Sequence, residues 1–172
     1  SILLAGTVPA ASVVINTEAE YKDALKSLMQ GDGFHQFLNR AANDRLLTNA
    51  FNNGLNLDVF EPNAAFYPVL ANKLVKANQD GSRAEFYSDY YPAIRYGAAR
   101  APLELIAYIV EQDRPYTEIL TADYTLANRP LAELYNADLS AFNPNRFDEF
   151  KPVKNRGQVL HDAAFVSEYV EG

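Results

Sequence analysis

The fold is decided by residues 100–135, which read RAPLELIAYIVEQDRPYTEILTADYTLANRPLAELY. In the first part of this stretch, apolar side chains at helical spacing cover most of a helix circumference: Leu103, Leu105, Ile106, Ala107, Ile109 and Val110. Pro102 predicts the start of this helix, because proline is favoured in a first helical turn. A helix that is apolar on so many sides is predicted to lie at the centre of the fold.

The same stretch then turns and enters a second helix. Residues 113–115, Asp-Arg-Pro, predict the end of the central helix. Asn128 predicts an N-cap, with Pro130 in the first turn of the next helix and Asn136 at its C-terminal end. Between the two helices, the side chains of Thr121 and Asp123 can hydrogen-bond to the local backbone and fix a turn. The pattern therefore predicts two helices joined by a polar corner.

Two amphipathic helices are predicted near the start of the chain. Thr17 and Glu20 form a T-x-x-E capping box, and Gly31 predicts a left-handed residue where the first helix ends. The apolar residues of the first helix share one face: Tyr21, Ala24, Leu25, Leu28 and Met29. A second stripe with the same spacing follows Asp32-Gly33: Phe34, Phe37, Leu38, Ala41 and Ala42. Each stripe predicts a helix with one face turned towards a core.

Proline and capping signals divide the middle of the chain. Pro68 predicts the first turn of a third helix. Ser82 and Glu85 predict a second capping box and a short helix, which Pro92 is expected to interrupt. The evidence for strands is limited to short apolar runs at residues 13–15 and 159–160. Residues 143–155 are predicted to form a polar loop, and a last helix is expected over residues 162–170.

These elements predict an all-α fold, a single-domain multi-helix bundle with long irregular loops. Residues 17–172 are expected to form one helical domain. Residues 1–16, which are apolar and rich in small side chains, are expected to form an N-terminal arm or a processed linker. The start at Ser1 rather than Met favours processing or a fragment of a longer precursor.

Composition excludes several functions. The net charge is −7 and no basic run occurs, which argues against nucleic acid and anionic membrane surfaces as partners. The chain has no cysteine, so a disulfide, a Cys-ligated metal, a thiol nucleophile and C-x-x-C-H haem attachment are excluded. No apolar run approaches the ~20 residues of a membrane span. We therefore expect no cofactor in this chain and no membrane span.

Few residues suggest chemistry. His35 and His161 are the two histidines, and they lack any local ligand spacing, so no metal site is predicted. Residues 138–149 do not match a calcium loop. Neither a nucleophile elbow nor a phosphate-binding glycine motif occurs. Weak candidates for catalysis lie at the polar corner: Asp123, Tyr124 and Asn128.

One block of sequence resembles a known family. Residues 104–135 are similar to the helical domain of unknown function fifteen-ninety-two, which occurs in large bacterial multidomain proteins associated with planctomycete-type cytochromes. The core TADYT at residues 121–125, followed by Asn128 and Leu131-Ala132, matches the family's signature. The segment DGFHQFLNR at residues 32–40 looks like the upstream helix of that domain. The segment NRGQVLHDAAF at residues 155–165 looks like the start of its companion domain.

The resemblance implies a helical module that is exported and therefore extracytoplasmic, whether periplasmic, at the cell surface or secreted. It also implies protein partners, among them a haem-bearing chain or domain. Because C-x-x-C-H is missing here, any haem would belong to another segment or subunit. The activity of the family is not established, so the resemblance supplies a context and no reaction.

Three functions remain open. The first is an exported non-catalytic structural or interaction module, which suits a chain with 11 Tyr and 10 Phe, since such rings favour protein interfaces. The second is an enzyme subunit, redox or hydrolytic, with a site at residues 121–128. The third is a small-ligand or glycan binder with an aromatic platform: Tyr87, Tyr90 and Tyr91.

Overall fold

A computed structural model describes residues 15–48 and 68–154. The chain divides into two compact units: unit 1 comprises residues 1–47 and 103–120, and unit 2 comprises residues 48–102 and 121–172. The single domain over residues 17–172, with residues 1–16 as an arm, stays a prediction. The expected strands at residues 13–15 and 159–160 and the expected helix at 162–170 lie, apart from Ile15, outside the described residues, and Ile15 is not in a strand.

Unit 1 contains the two predicted amphipathic helices, α1 (Glu18–Leu28) and α2 (Asp32–Leu46). The capping box of α1 is confirmed, since Thr17 Oγ1 accepts the Glu20 N–H at 3.2 Å and Glu20 Oε2 accepts the Thr17 N–H at 3.1 Å. The prediction for Gly31 is wrong, because α2 begins at the next residue and Gly31 is its extended N-cap. A left-handed Leu47, with φ 55°, ends α2 instead.

Unit 2 begins, in its described part, with α3 (Pro68–Asp80), and Pro68 is its first residue as predicted. A three-residue turn, α4 (Arg83–Glu85), leads into a π-helical segment, Phe86–Tyr90. The predicted capping box of Ser82 and Glu85 is wrong. The Ser82 hydroxyl donates to Asp80 Oδ1 at 2.6 Å and does not cap the turn that follows.

The central helix is longer than predicted. It is α5 (Tyr91–Glu111), so Pro92 does not interrupt it and Pro102 lies inside it. The π segment directly precedes Pro92: the Tyr91 N–H reaches back five residues to the Phe86 carbonyl, so the regular i→i−4 ladder is already widened where proline, which has no N–H to donate, enters the helix.

The helix continues through Pro102 because burial outweighs the cost of the proline. An interior proline costs about 3 kcal/mol. Leu103, Leu105 and Ile109 are between 0 and 2% exposed. Each such side chain contributes roughly 1.5–3 kcal/mol when buried. The prediction of a helix buried on many sides is therefore confirmed.

After α5, a single turn α6 (Glu118–Thr121) precedes strand β1 (Tyr124–Ala127), helix α7 (Arg129–Leu134) and strand β2 (Lys151–Lys154). The two strands pair antiparallel, with Thr125 opposite Val153. The fold is mainly α-helical as predicted, but the all-α class is corrected by this small sheet. Each strand has only four residues, which is too short for an alternating pattern to stand out from a polar loop.

The core of unit 2 gathers apolar side chains from α3, the π segment, α5, both strands and α7. Its buried members include Leu70, Phe86, Tyr91, Ile94, Ala127, Leu131, Phe142 and Val153. The core therefore fixes the residues around the predicted polar corner. Among the helices that the structure describes, none is both long enough and apolar enough to cross a membrane.

Candidate functional site

The three residues predicted for a site at the polar corner occupy different environments. Asp123 precedes β1 and is exposed, whereas Tyr124 is the first residue of β1 and is buried. Asn128 lies between β1 and α7 and is fully buried. The structure therefore places one of the three at the surface and the other two in the interior of unit 2.

Asn128 makes three hydrogen bonds, using both amide hydrogens and the amide oxygen. Its Oδ1 accepts the Leu131 N–H at 3.1 Å, which confirms the predicted N-cap of α7. Its Nδ2 donates to two carbonyls, that of Ala93 at 2.7 Å and that of Phe147 at 2.9 Å. One amide thus ties α7 to α5 and to the loop before β2. A substrate could engage Asn128 only by displacing these bonds, so its evident role is structural.

A polar cluster that the sequence analysis did not predict lies in unit 1. The imidazole of His35 contacts two carboxylates: Nε2 is 2.9 Å from Glu104 Oε2, and Nδ1 is 2.9 Å from Glu111 Oε1. Behind it, Asn39 Nδ2 donates to Glu104 Oε1 at 3.2 Å. Asn39 and Glu104 are buried, while His35 and Glu111 are partly exposed. We call these four residues the His35 cluster.

The charge of His35 is stabilised by its neighbours. The hydrogen bond to Glu104 raises the pKa of His35 to about 9, against the opposing effect of burial, and the charges of Glu104 and Glu111 add to the rise. His35 is therefore an imidazolium at neutral pH. A buried carboxylate such as Glu104 needs a partner of this kind, because an unpaired charge in the interior is strongly unfavourable.

Sequence spacing carried a signal for this cluster. His35 and Asn39 are four residues apart in α2, and Glu104 and Glu111 are seven apart in α5, so each pair shares one helix face. The pairing between the two faces was not visible, since sequence periodicity does not show which helices meet.

A third cluster lies in unit 2, beside the π segment. The Tyr90 hydroxyl donates to Glu133 Oε2 at 2.6 Å, and Lys73 Nζ is 3.0 Å from the same oxygen. Lys73 Nζ also stands 4.2 Å from the centroid of the Tyr90 ring. Burial, followed by the hydrogen bond to Glu133, raises the pKa of Tyr90 above its usual range. These contacts link α3, the π segment and α7.

The aromatic residues expected to form a ligand platform pack on one another. Phe86 is buried, and its ring centroid is 5.2 Å from that of Tyr87, 5.8 Å from that of Tyr90 and 6.2 Å from that of Tyr91. Lys73 stands over the Tyr90 ring as well. The rings of Tyr90 and Tyr91 therefore belong to the packing of unit 2.

An open groove of about 370 Å³ runs beside this cluster. Its walls come from α3, α4, the π segment and the loop before β2, and include Lys76, Glu85, Asp89 and Phe147. The groove is lined by side chains of both charges, such as Lys76 and Asp89, and by aromatic side chains such as Phe147.

None of the three clusters joins a hydroxyl nucleophile to a histidine base. In the part of the chain that the structure describes, no group of three or more His, Asp and Glu side chains is arranged to hold a metal ion. The His35 cluster, the Tyr90 contacts and Asn128 consist of buried and partly exposed polar groups that connect helices. This defines a mainly helical module braced by side-chain hydrogen bonds.

A comparison with models of protein families assigns the chain to one family. A family model described as PSD4, protein of unknown function (DUF1592), matches residues 10–137, which is 128 of the 172 residues. The chain belongs to this family, as the resemblance of residues 104–135 predicted. A search of curated proteins and a search of solved structures found no match.

Proposed function

We propose that this chain is an exported, non-catalytic interaction module and one part of a larger assembly. The observation that carries the proposal is the solvent exposure of α1. This helix has a complete capping box and a stripe of apolar residues, yet none of its residues is buried. Tyr21 is 52% exposed and Met29 40% exposed.

An exposed amphipathic helix of this length needs an explanation. Isolated helices of fewer than ~12–15 residues are marginal in water, and in proteins most of their stability comes from packing an apolar face. Helix α1 has 11 residues. A partner that covers its stripe would supply the missing burial, as in other amphipathic helices that bind in a groove.

Other exposed apolar side chains lie in the same unit. Among the described residues, the large apolar side chains exposed in unit 1 are Ile15, Tyr21, Met29, Leu46, Leu47, Tyr116 and Leu120. In the described part of unit 2, the one exposed large apolar side chain is that of Val75. Unit 1 is therefore the better candidate for the interacting unit.

Export and the kind of partner are proposed from the sequence. Membership of the DUF1592 family and the resemblance of residues 155–165 to the start of a companion domain support an extracytoplasmic multidomain protein. A haem-bearing chain or domain is the partner we propose, and a haem attached through C-x-x-C-H would belong to that partner because this chain has no cysteine.

The native mass of the assembly tests the proposal. The chain in its native extract is expected to elute well above its monomer mass in size-exclusion chromatography. Tyr21→Glu, which places a charge on the apolar stripe, should shift it to the monomer position, while Ser27→Glu on the exposed polar face should not. A native chain that elutes as a monomer, or a Tyr21→Glu variant that elutes like the wild type, would exclude the proposed role of α1.

The second candidate, an enzyme subunit with a site at residues 121–128, has less support. Asp123 is the best candidate for a catalytic residue because it is exposed. Asn128 already forms three hydrogen bonds within the protein. Asp123→Ala should leave stability unchanged, so a loss of activity in this variant would favour the enzyme over the module.

A further inference from the structure

The two helices at the start of unit 1 contribute few buried side chains. None of the residues of α1 is buried, and in α2 only Phe34 and Asn39 are. Helix α5, by contrast, buries Leu103, Leu105 and Ile109 almost completely in the same unit. Segments with little buried apolar surface open locally at a lower free energy than global unfolding requires. We therefore expect α1 and α2 to open more readily than α5.

The His35 cluster joins α2 to one face of α5. His35 contacts Glu104 and Glu111 of α5, and Asn39 donates to Glu104. Ala107 lies between the two glutamates at helical spacing, so it shares their face, and it is 0% exposed. Helix α2 therefore covers this face of α5, and Ala107 becomes accessible to solvent when α2 moves away.

The residues of the cluster act in opposite directions on this contact. Asn39 is 4% exposed, and its Oδ1 has no hydrogen-bond partner among the described residues, which disfavours the closed arrangement because water can satisfy the same atom in an open one. His35 favours the closed arrangement, because without it Glu104 would be buried next to no cation within the cluster. His35 is therefore the residue of the cluster that holds α2 on α5.

We propose that residues 17–47 form a strap that opens from α5 as one local unit and that the His35 cluster holds closed. Three residues, 29–31, connect α1 to α2, so α1 belongs to the strap. The closed strap covers the face of α5 that carries Glu104, Ala107 and Glu111. The open strap exposes this face while the core of unit 2 stays folded. This device goes beyond the interaction proposed for α1 and does not depend on it.

Cysteine labelling in the full chain measures the opening, because the chain has no cysteine of its own. Ala107→Cys places a thiol beneath the strap, and Ala132→Cys places one in the core of unit 2, where the alanine is also 0% exposed. With a water-soluble disulfide reagent under native conditions, we expect Ala107→Cys to react about 100-fold faster than Ala132→Cys, or more. Reaction at equal rates would overturn the strap, because both thiols would then be reached through the same opening.

A change in the cluster separates the strap from the rest of the protein. His35→Gln should raise the labelling rate of Ala107→Cys about tenfold and leave that of Ala132→Cys unchanged. Arg40→Gln, which also removes a cation from α2 but at an exposed position, is the matched control and should change neither rate. Equal acceleration of both thiols by His35→Gln, or no acceleration of Ala107→Cys, would show that the cluster does not hold a strap.

Amide hydrogen exchange in the wild type gives the answer without any substitution. The amides of residues 36–42, in the middle of α2, should exchange about 100-fold faster than those of residues 94–99 in α5, or more. Exchange in α2 as slow as in that part of α5 would overturn the strap even where a cysteine variant fails to fold. These measurements use the isolated chain, so their failure is distinct from a failure to find a partner of α1.

Discussion

The Asn128 amide lies directly against Gly97 of α5. A Cβ atom added to residue 97 would stand 2.3 Å from Asn128 Oδ1 and 2.8 Å from its Cγ. Atoms of the fold do not approach so closely, so the hydrogen-bonded amide requires a glycine at this point of the helix. The polar corner predicted from the sequence is thus a packed joint between α5 and α7.

Gly97→Ala is expected to destabilise the protein. Alanine is favoured over glycine in a helix by about 1 kcal/mol, but overpacking typically costs about 1–3 kcal/mol, and a contact of 2.3 Å with a buried amide belongs to the upper half of that range. We expect a net loss of about 1–2 kcal/mol in the free energy of unfolding, measured with urea. Gly31→Ala is the control, because nothing lies within 4 Å of a Cβ there, and its loss should be smaller. A Gly97→Ala variant as stable as the wild type would show that the joint is loosely packed.

Asn128→Asp distinguishes two roles of Asn128, the capping of α7 and the connection of α7 to α5 and to the loop before β2. Aspartate is as good an N-cap as asparagine, so a residue that only caps α7 would tolerate the change. The aspartate cannot donate to the Ala93 and Phe147 carbonyls, and its buried charge would face both of them. We expect a loss of about 3 kcal/mol or more at pH 7 by urea unfolding. A loss below 1 kcal/mol would reduce Asn128 to a cap.

The His35 cluster predicts a defined dependence of stability on pH. The pKa of His35 is about 9 in the folded protein, against an ordinary value of 6.5. A raised pKa means that the stabilisation is fully present below about pH 6.5 and is lost as pH rises through 9. Since the side chain is 33% exposed and partly screened by solvent, we expect the loss to be about 1–2 kcal/mol.

The measurement compares the wild type with His35→Gln by urea unfolding from pH 6 to pH 10. The difference in stability between the two should be largest at pH 6 and should shrink towards pH 10. Other titrating groups, His161 among them, are common to both chains and cancel. A difference that is constant with pH would contradict the ion pairs of His35.

A double-mutant cycle on Tyr90 and Glu133 tests the third cluster. Tyr90→Phe removes a hydrogen bond to a carboxylate and should cost about 1.5–3 kcal/mol of unfolding free energy. In a Glu133→Gln background the same change should cost less, which gives a coupling of at least 0.5 kcal/mol. Tyr87→Phe, on the same π segment, is the control and should cost less than either. Additive single effects would mean that the 2.6 Å contact contributes nothing specific.

The sequence predicted the elements whose signals are local. The capping box of Thr17 and Glu20, the helix start at Pro68 and the N-cap at Asn128 each depend on side chains within four residues, and all three are confirmed. Pro102 was misread because the burial that carries α5 through it comes from residues distant in sequence.

The same distinction applies to the candidate site. Asn128 was identified as a special residue, but its bonds to Ala93 and Phe147 span 35 and 19 residues and could not be inferred from spacing. The partners His35 and Glu104 are likewise joined across the chain. Strand β2 was not predicted, because its four residues contain a single buried side chain, Val153, and so show no alternation of apolar and polar residues.

The central claim, that the apolar stripe of α1 binds a partner protein, is tested most directly by photo-crosslinking in the native host. A benzophenone amino acid replaces Tyr21 on the stripe in one variant and Asp23 on the opposite face in another. We predict that the probe at position 21 is crosslinked to a second protein, identified by mass spectrometry, and that the probe at position 23 is not. Equal crosslinking from both positions, or no adduct with another chain from position 21, would contradict the claim.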